Sequence, residues 1–380
     1  MICARNEETV ISSLIDSIAK QTFPSARLHV FVCADNCTDK TAEICRALGC
    51  TVYERQDKTR ARKGYALQYL FDCIQRDFGV STFDGFFFFD ADNLLKEDFI
   101  ATMDGVFDEK RSGVIVGYRN TKNFDTNVIS AGYGIHFYKS IMNYHRPRTM
   151  LGLNTHIAGT GFLINARLLQ NGWKHVGLTE DAELTQELTA MGERIEFCEQ
   201  AEFYDEQPHN FFVAWRQRLR WSKGRLIAFF VYGHKLLRGV FTQKSVRKKC
   251  SCYDVFFYNF PKSLIAAVLT AIYPLTEFIL SLISGAFFAT FDPWGLVWLA
   301  LQALASSWLS STLINALVCI RERKRIHCST SKLIWYTLTS YWFSMISLPV
   351  AVCSLLIRVK WKPIKHDDAK KIDDLHKPNK

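Results

Sequence analysis

Three short signatures follow one another along the chain, each carrying side chains that do chemistry. Asp90-Ala91-Asp92 comes directly after the apolar run Phe86 to Phe89, Thr179-Glu180-Asp181 lies near the middle, and Gln217, Arg220 and Trp221 form Gln-x-x-Arg-Trp. Two carboxylates at a strand end can reach one divalent cation, and hard ions such as Mg²⁺ or Mn²⁺ take oxygen ligands and shared phosphate oxygens. A cation held there would neutralise the charge that develops on a departing diphosphate. A carboxylate such as Asp181 can take the proton of an attacking hydroxyl. Glu180 and Asp181 also suit the positive end of a helix dipole, and the two roles are compatible. Arg220 and Gln217 can bind diphosphate oxygens, while the Trp221 face can stack on the apolar face of a sugar. Their helix also carries Phe211, Phe212, Trp215 and Leu219 among several arginines, so as a whole it reads as an interfacial amphipathic helix.

The elements that must hold these groups alternate between strand and helix. Ile2 to Ala4 reads as the end of a first strand that should be longer, so the chain is expected to lack an upstream segment. A helix follows with Asn6 as its cap and Val10, Ile11, Leu14, Ile15 and Ile18 on one face. A strand over 28–33 leads into Ala34-Asp35-Asn36-Cys37-Thr38-Asp39, then a helix to about Leu48, with Asp39 placed to cap it. A short strand over 51–54 precedes a helix opening at Lys63-Gly64, with Leu67, Leu70, Phe71 and Ile74 along one side. Phe86 to Phe89 is the unbroken apolar run of a strand buried in a parallel sheet. The alternation predicts a doubly wound α/β domain. In such sheets ligands bind at the carboxyl ends of the strands, where Asp35, Asp90 and Asp92 fall.

After Trp221 the character changes. The runs 264–290, 294–320 and 333–357 are apolar and long enough to cross a bilayer as tilted helices. Glu277 is the one charge in the first run, suited to a bundle interior or a polar path. The formal charge of +10 is clustered beside these runs, at Arg216 to Arg225, Arg321 to Arg325 and Arg358 to Lys365, which marks cytoplasmic flanks and not a nucleic-acid surface. The last two clusters flank a single run. Either that run dips in and returns, with Pro349 near the break, or the final cluster lies outside. Twelve cysteines without metal-ligand spacing fit a reducing compartment, with Cys3, Cys33 and Cys198 as small core residues.

The ordered set of signatures resembles the processive members of the family 2 glycosyltransferases, the group of cellulose, chitin, hyaluronan and poly-N-acetylglucosamine synthases. The likeness covers roughly the first 230 residues. It implies a GT-A-like, Rossmann-related nucleotide-sugar-binding domain over 1–205, interfacial helices over 206–262, a transmembrane region over 263–358 and a basic, disordered tail over 359–380. It implies Asp92 as the direct ligand of Mg²⁺ or Mn²⁺, with Asp90 nearer the ribose or sugar. Asp35 would hydrogen-bond the uracil of a UDP-sugar donor, although a turn or cap role is the alternative. Lys63 would lie near the diphosphate, with Arg5 beside the donor or merely at the surface. Asp181 matches the family's general base, next to Glu180, and Gln217, Arg220 and Trp221 its acceptor and diphosphate contacts. The loop Asn154 to Gly161 would border the acceptor, with His156 either touching sugar or structural. The product would be an inverted, β-linked sugar on a growing cell-surface polysaccharide. The alternatives are single addition to a glycolipid acceptor, or a silent subunit that binds nucleotide sugar or polymer. The lipid bilayer and an accessory membrane or export subunit are the expected partners, and the setting is a multi-pass cell-membrane protein with its catalytic domain in the cytoplasm.

Overall fold

The computed structural model describes residues 1–110, 112–261 and 293–375, together with 265, 272, 275–276 and 278–284. Its centre is an eight-stranded sheet in the order β3-β2-β1-β4-β7-β6-β8-β5. The strands are β1 Ile2–Ala4, β2 Phe31–Asp35, β3 Thr51–Arg55, β4 Gly85–Asp90, β5 Leu94–Leu95, β6 Val114–Thr121, β7 Phe162–Asn165 and β8 Ile195–Asp205. The expected parallel sheet holds for β1 with β2, β2 with β3 and β1 with β4. Beyond β4 the sheet is mixed, because β7 runs antiparallel to both β4 and β6.

The run of four phenylalanines shows why the sheet is buried on both faces. Side chains alternate along a strand, so Phe86 and Phe88 enter one core with Leu67, Leu70 and Phe71 of α3, Lys63–Asp77. Phe87 and Phe89 enter the other with Ile11 and Leu14 of α1, Ile11–Ala19, and Phe99 and Met103 of α4, Phe99–Lys110. Two local expectations differ. Asn6 caps no helix; it takes a left-handed conformation at φ 57° and its Oδ1 accepts from Thr38 N at 2.8 Å. The strand expected from Leu28 begins at Phe31, after a 3-10 turn at Ser25–Arg27. Asp39 does meet the helix α2, Thr41–Ala47, where its Oδ1 accepts from Thr41 N at 3.1 Å.

The remaining helices are α5 Val128–Ser140, α6 Arg146–Met150, α7 Glu180–Met191, α8 Phe211–Thr242 and α9 Val246–Asn259. A π-helical turn, Ile141–His145, joins α5 to α6. Among the described residues two helices, Val297–Arg321 and Thr330–Leu356, have the length and mean hydropathy (1.6 and 1.4) to cross a membrane. The second is interrupted at Ile346, with Pro349 in the first turn of the following piece, Ser347–Leu356. Proline is tolerated there because first-turn N–H groups have no intrahelical acceptor. Most of the run 264–290, including Glu277, lies outside the described residues.

Within the tail that was expected to be disordered, Ile372 and Leu375 are buried against Leu94 and Tyr204. A buried ionic knot joins the first apolar helix to the catalytic domain. Glu322 Oε2 accepts from Tyr118 Oη at 2.7 Å, and Oε1 from Arg146 Nη1 at 2.5 Å. Removing Glu322 leaves the buried Tyr118 hydroxyl without its acceptor, while Arg146 keeps Glu199 at 2.6 and 2.8 Å. Glu322→Ala should therefore cost about 1–3 kcal/mol, read as an earlier denaturation midpoint of the detergent-solubilised chain. An unchanged midpoint would place the knot outside the stabilising contacts.

Candidate active site

The carboxyl ends of β1, β2, β4 and β8 open into one cleft of about 310 Å³. Every candidate residue lines it: Arg5, Asp35, Lys63, Asp90 and Asp92 on the sheet side, and Glu180, Asp181, Gln217, Arg220 and Trp221 from α7 and α8.

On the sheet side, Asp35 is clamped between two guanidinium groups. Arg55 Nη1 donates to Asp35 Oδ1 at 2.7 Å, and Arg5 bonds Oδ2 and, through Nε, the Asp35 carbonyl at 2.9 Å. Arg5 is thus a held wall of the cleft and not a free surface charge; its guanidinium also lies over the Trp361 ring, 4.7 Å from the centroid. Lys63, at the first position of α3, bonds Asp90 and the Gly159 carbonyl, the latter at 2.9 Å. Burial opposes its charge, yet Asp90 and Glu180 together hold the ammonium above the ordinary lysine range.

Asp90, Asp92 and Asp205 offer oxygens within 4.8 Å of one another. Asp90 is fixed through its backbone, whose N–H donates to Thr160 Oγ1 at 2.9 Å. Asp92 is 3% exposed and accepts at Oδ2 from Glu206 N at 2.9 Å. Asp205 takes bonds from Arg119 Nε at 2.8 Å and Asn93 Nδ2 at 2.8 Å. Burial pushes its carboxyl above the usual range; Arg119 opposes the rise and Asp92 adds to it. Three converging carboxylate oxygens are the donor set a hard divalent cation requires. Asp205 was not anticipated, although an Asp-Glu pair closing a long strand was there to be noticed. Arg55, Arg119 and Trp361 were missed with it.

The opposite wall starts at α7. Glu180 is buried and, through burial and the Asp181 charge, its carboxyl is pushed up to about 7. Burial raises Asp181 as well, opposed by the Ala182 N–H, which donates to Oδ1 at 2.8 Å, and by Arg220. The approach of α8 to this pair needs glycine: a Cβ at Gly224 would stand 2.5 Å from Thr179 Cγ2. Arg220 Nη1 bonds the Leu178 carbonyl at 2.8 Å, just ahead of the acids. Trp221 meets Tyr133 edge-on at 5.9 Å between centroids. The Gln217 Oε1 and His156 Nδ1 atoms are enclosed without a hydrogen-bond partner. His156 also stacks on Tyr258 at 4.9 Å, so it is both packed and part of the cleft wall.

A mixed sheet with helices on both faces and acids at its strand ends is a GT-A-like architecture. Residues 1–224 match the family described as Glycosyltransferase like family 2. The chain belongs to that family. It is 25% identical over 271 residues to the probable glycosyltransferase YdaM of Bacillus subtilis, covering 68% of this chain and 61% of that protein. It is 24% identical over 245 residues to the beta-monoglucosyldiacylglycerol synthase of a Nostoc species, covering 63% of this chain and 51% of that protein. The fold is similar to that of the mannosyltransferase PcManGT from Pyrobaculum calidifontis in complex with GDP-Man and Mn²⁺, with a TM-score of 0.55, 16% identity, and coverage of 93% and 85% of the two chains.

If the three aspartates hold a cation, Asp92→Asn should weaken Mn²⁺ binding at least about tenfold, since an amide cannot supply the anionic ligand. Titration of the purified chain with Mn²⁺, followed by loss of the free-ion electron paramagnetic resonance signal, reads this directly. Identical titrations of the two proteins would remove Asp92 from the ligand set.

Proposed function

We propose that the chain is an inverting glycosyltransferase that moves a hexose, glucose or N-acetylglucosamine, from a UDP donor onto a hydroxyl of a membrane-held acceptor. One observation carries the reading: a single cleft is lined by the aspartate cluster, the basic side chains Lys63 and Arg220, and a second, separate acid pair. Asp35, fixed by its two arginines, takes the uracil, and Lys63 and Arg220 take diphosphate oxygens. Asp92, with Asp90 and Asp205, would hold a Mg²⁺ or Mn²⁺, which would supply charge neutralisation for the diphosphate. Asp181 accepts the proton as the acceptor oxygen attacks the anomeric carbon from the side opposite the phosphate. The carbon–oxygen bond to UDP breaks, and an α-linked donor becomes a β-linked product.

A lipid acceptor is the reading we favour. A relative is named for glucosyldiacylglycerol synthesis, and the α8–α9 hairpin exposes Phe230, Val231, Leu237, Phe241 and Val246, as a bilayer-facing surface would. The Gln-x-x-Arg-Trp spacing supports the second reading, repeated addition to a polysaccharide. Incubating membranes that contain the chain with labelled UDP-glucose or UDP-N-acetylglucosamine separates them. Label in a single chloroform-soluble species indicates the lipid, label in an insoluble polymer the polysaccharide, and no donor consumption would reject the activity. In either reading the protein sits in the cell membrane with its cleft on the cytoplasmic side, where UDP-sugars are.

Asp181→Asn should lower turnover about 10²–10⁴-fold with UDP affinity retained; a parallel loss of UDP binding would place Asp181 in the donor pocket. The base must be ionised, and its carboxyl is raised by burial. Activity should therefore climb with pH along a limb lying above the ordinary carboxylate range. Arg220 lowers both acids, so Arg220→Gln should move that limb to higher pH in kcat/KM profiles. A limb that stays put or moves down would contradict Asp181 as the base.

A further inference from the structure

A second cavity, of about 240 Å³, lies between the C-terminal end of α7 and the start of α9 and shares no residue with the catalytic cleft. We propose that it binds a phosphate group, as a phosphate ester or a lipid headgroup. Its lining residues are all polar, charged or glycine. Arg194, Arg247 and Lys248 converge on it against one carboxylate, Glu193. That carboxylate is already taken, since Arg167 donates to both of its oxygens at 2.9 and 2.5 Å. Three cations therefore face a common space with no available counter-charge lining it.

Arg194 makes the case specific. Its Nη1 is enclosed and has no hydrogen-bond partner among the described residues, and its ion pair from Nε to Glu196 is loose at 3.9 Å. Burial disfavours its charge, Glu196 offsets part of this, and Arg247 adds to the penalty. Arg194 thus lines the cavity as a guanidinium with only loose pairing among the described residues, and an anion there would supply an acceptor.

The start of α9 points the same way by independent means. The first turn carries Arg247 and Lys248 and no acid, the reverse of what the helix dipole favours. Ser245, in the capping position, makes no side-chain hydrogen bond to the helix, which leaves the first N–H groups open to a ligand. Ser251, 4% exposed, lines the same space and its Oγ accepts from Asn154 N at 3.1 Å, so its hydroxyl hydrogen remains to be given. Donors from a helix start, a guanidinium fork and a hydroxyl suit the several oxygens of one phosphate. Two sources are open to this chemistry. Phe241 and Val246, 75% and 74% exposed, border the hairpin turn beside the cavity, as a headgroup site at a bilayer would require; a soluble phosphate ester needs neither.

The test uses the full chain purified in a neutral detergent, with glycerol 3-phosphate in one arm and phosphatidic acid in mixed micelles in the other, binding being followed by titration calorimetry. Binding in either arm, lowered about tenfold by Arg247→Gln with Lys248→Gln, supports the site, and the arm that responds identifies the source. These two side chains are exposed, so folding is preserved; Arg194→Gln, with its melting curve checked, is the second variant. Lys40→Gln with Lys58→Gln removes the same charge elsewhere and should leave binding unchanged. No binding in both arms, or equal weakening by the control pair, overturns the proposal. Neither readout involves sugar transfer, so the outcome is independent of the activity proposed above.

Discussion

Crowded negative charge is the constraint on which this structure turns. Asp90, Asp92 and Asp205 converge from strand ends, and Glu180 and Asp181 face them across the same cleft. Left alone, such a set would repel itself and draw protons. Basic side chains from separate elements hold it: Lys63 at the start of α3, Arg119 on β6 and Arg220 on α8. Each cation ties its element to a position in the cleft, so the charge balance and the placement of helices around the sheet are one problem. The acidic triad on the sheet side is consistent with binding of a divalent cation.

The same logic explains the length of α8. One stretch of it must reach into the cleft with Gln217, Arg220 and Trp221, while the rest follows α7 and turns into α9. From Trp221 to Thr242 is about 30 Å of helix. A rigid rod of that length places the catalytic wall and the polar cavity at the start of α9 on one mechanical element. Whatever settles the far end of α8 also sets how firmly its near end stands against Glu180 and Asp181.

Much of this was legible in the chain because it is local. The four-phenylalanine run, the helix faces at Ile11 to Ile18 and Leu67 to Ile74, and the acids that follow strands all depend on neighbours within a few residues. The ten candidate residues, some read from such patterns and others, such as Arg5 and Lys63, implied by the family resemblance, all line one cleft. Arg55, Arg119 and Asp205 were not among them, because their roles are made by pairing at a distance. Arg119 meets Asp205 only through the parallel register of β6 with β8, which shifts between Gly117 and Tyr118. Asn6 looked like a cap because of its type; the Thr38 amide, far along the chain, claimed its oxygen. The tail offers little local signal. It is rich in charge, and among its described residues Ile372 and Leu375 pack against Leu94 and Tyr204, too few apolar residues to show as a pattern.

That tail has a consequence for how the protein is made. Trp361, Lys362 and His366 form part of the cleft wall, yet they follow both apolar helices in the chain. Lys122 Nζ, on the catalytic side, reaches the Asp368 carbonyl at 2.6 Å. The wall of the cleft beside Arg5 is thus finished by residues made after both of these apolar helices. A nascent chain carrying every signature acid would still have an open wall, and would gain a complete site only once its apolar helices had been delivered.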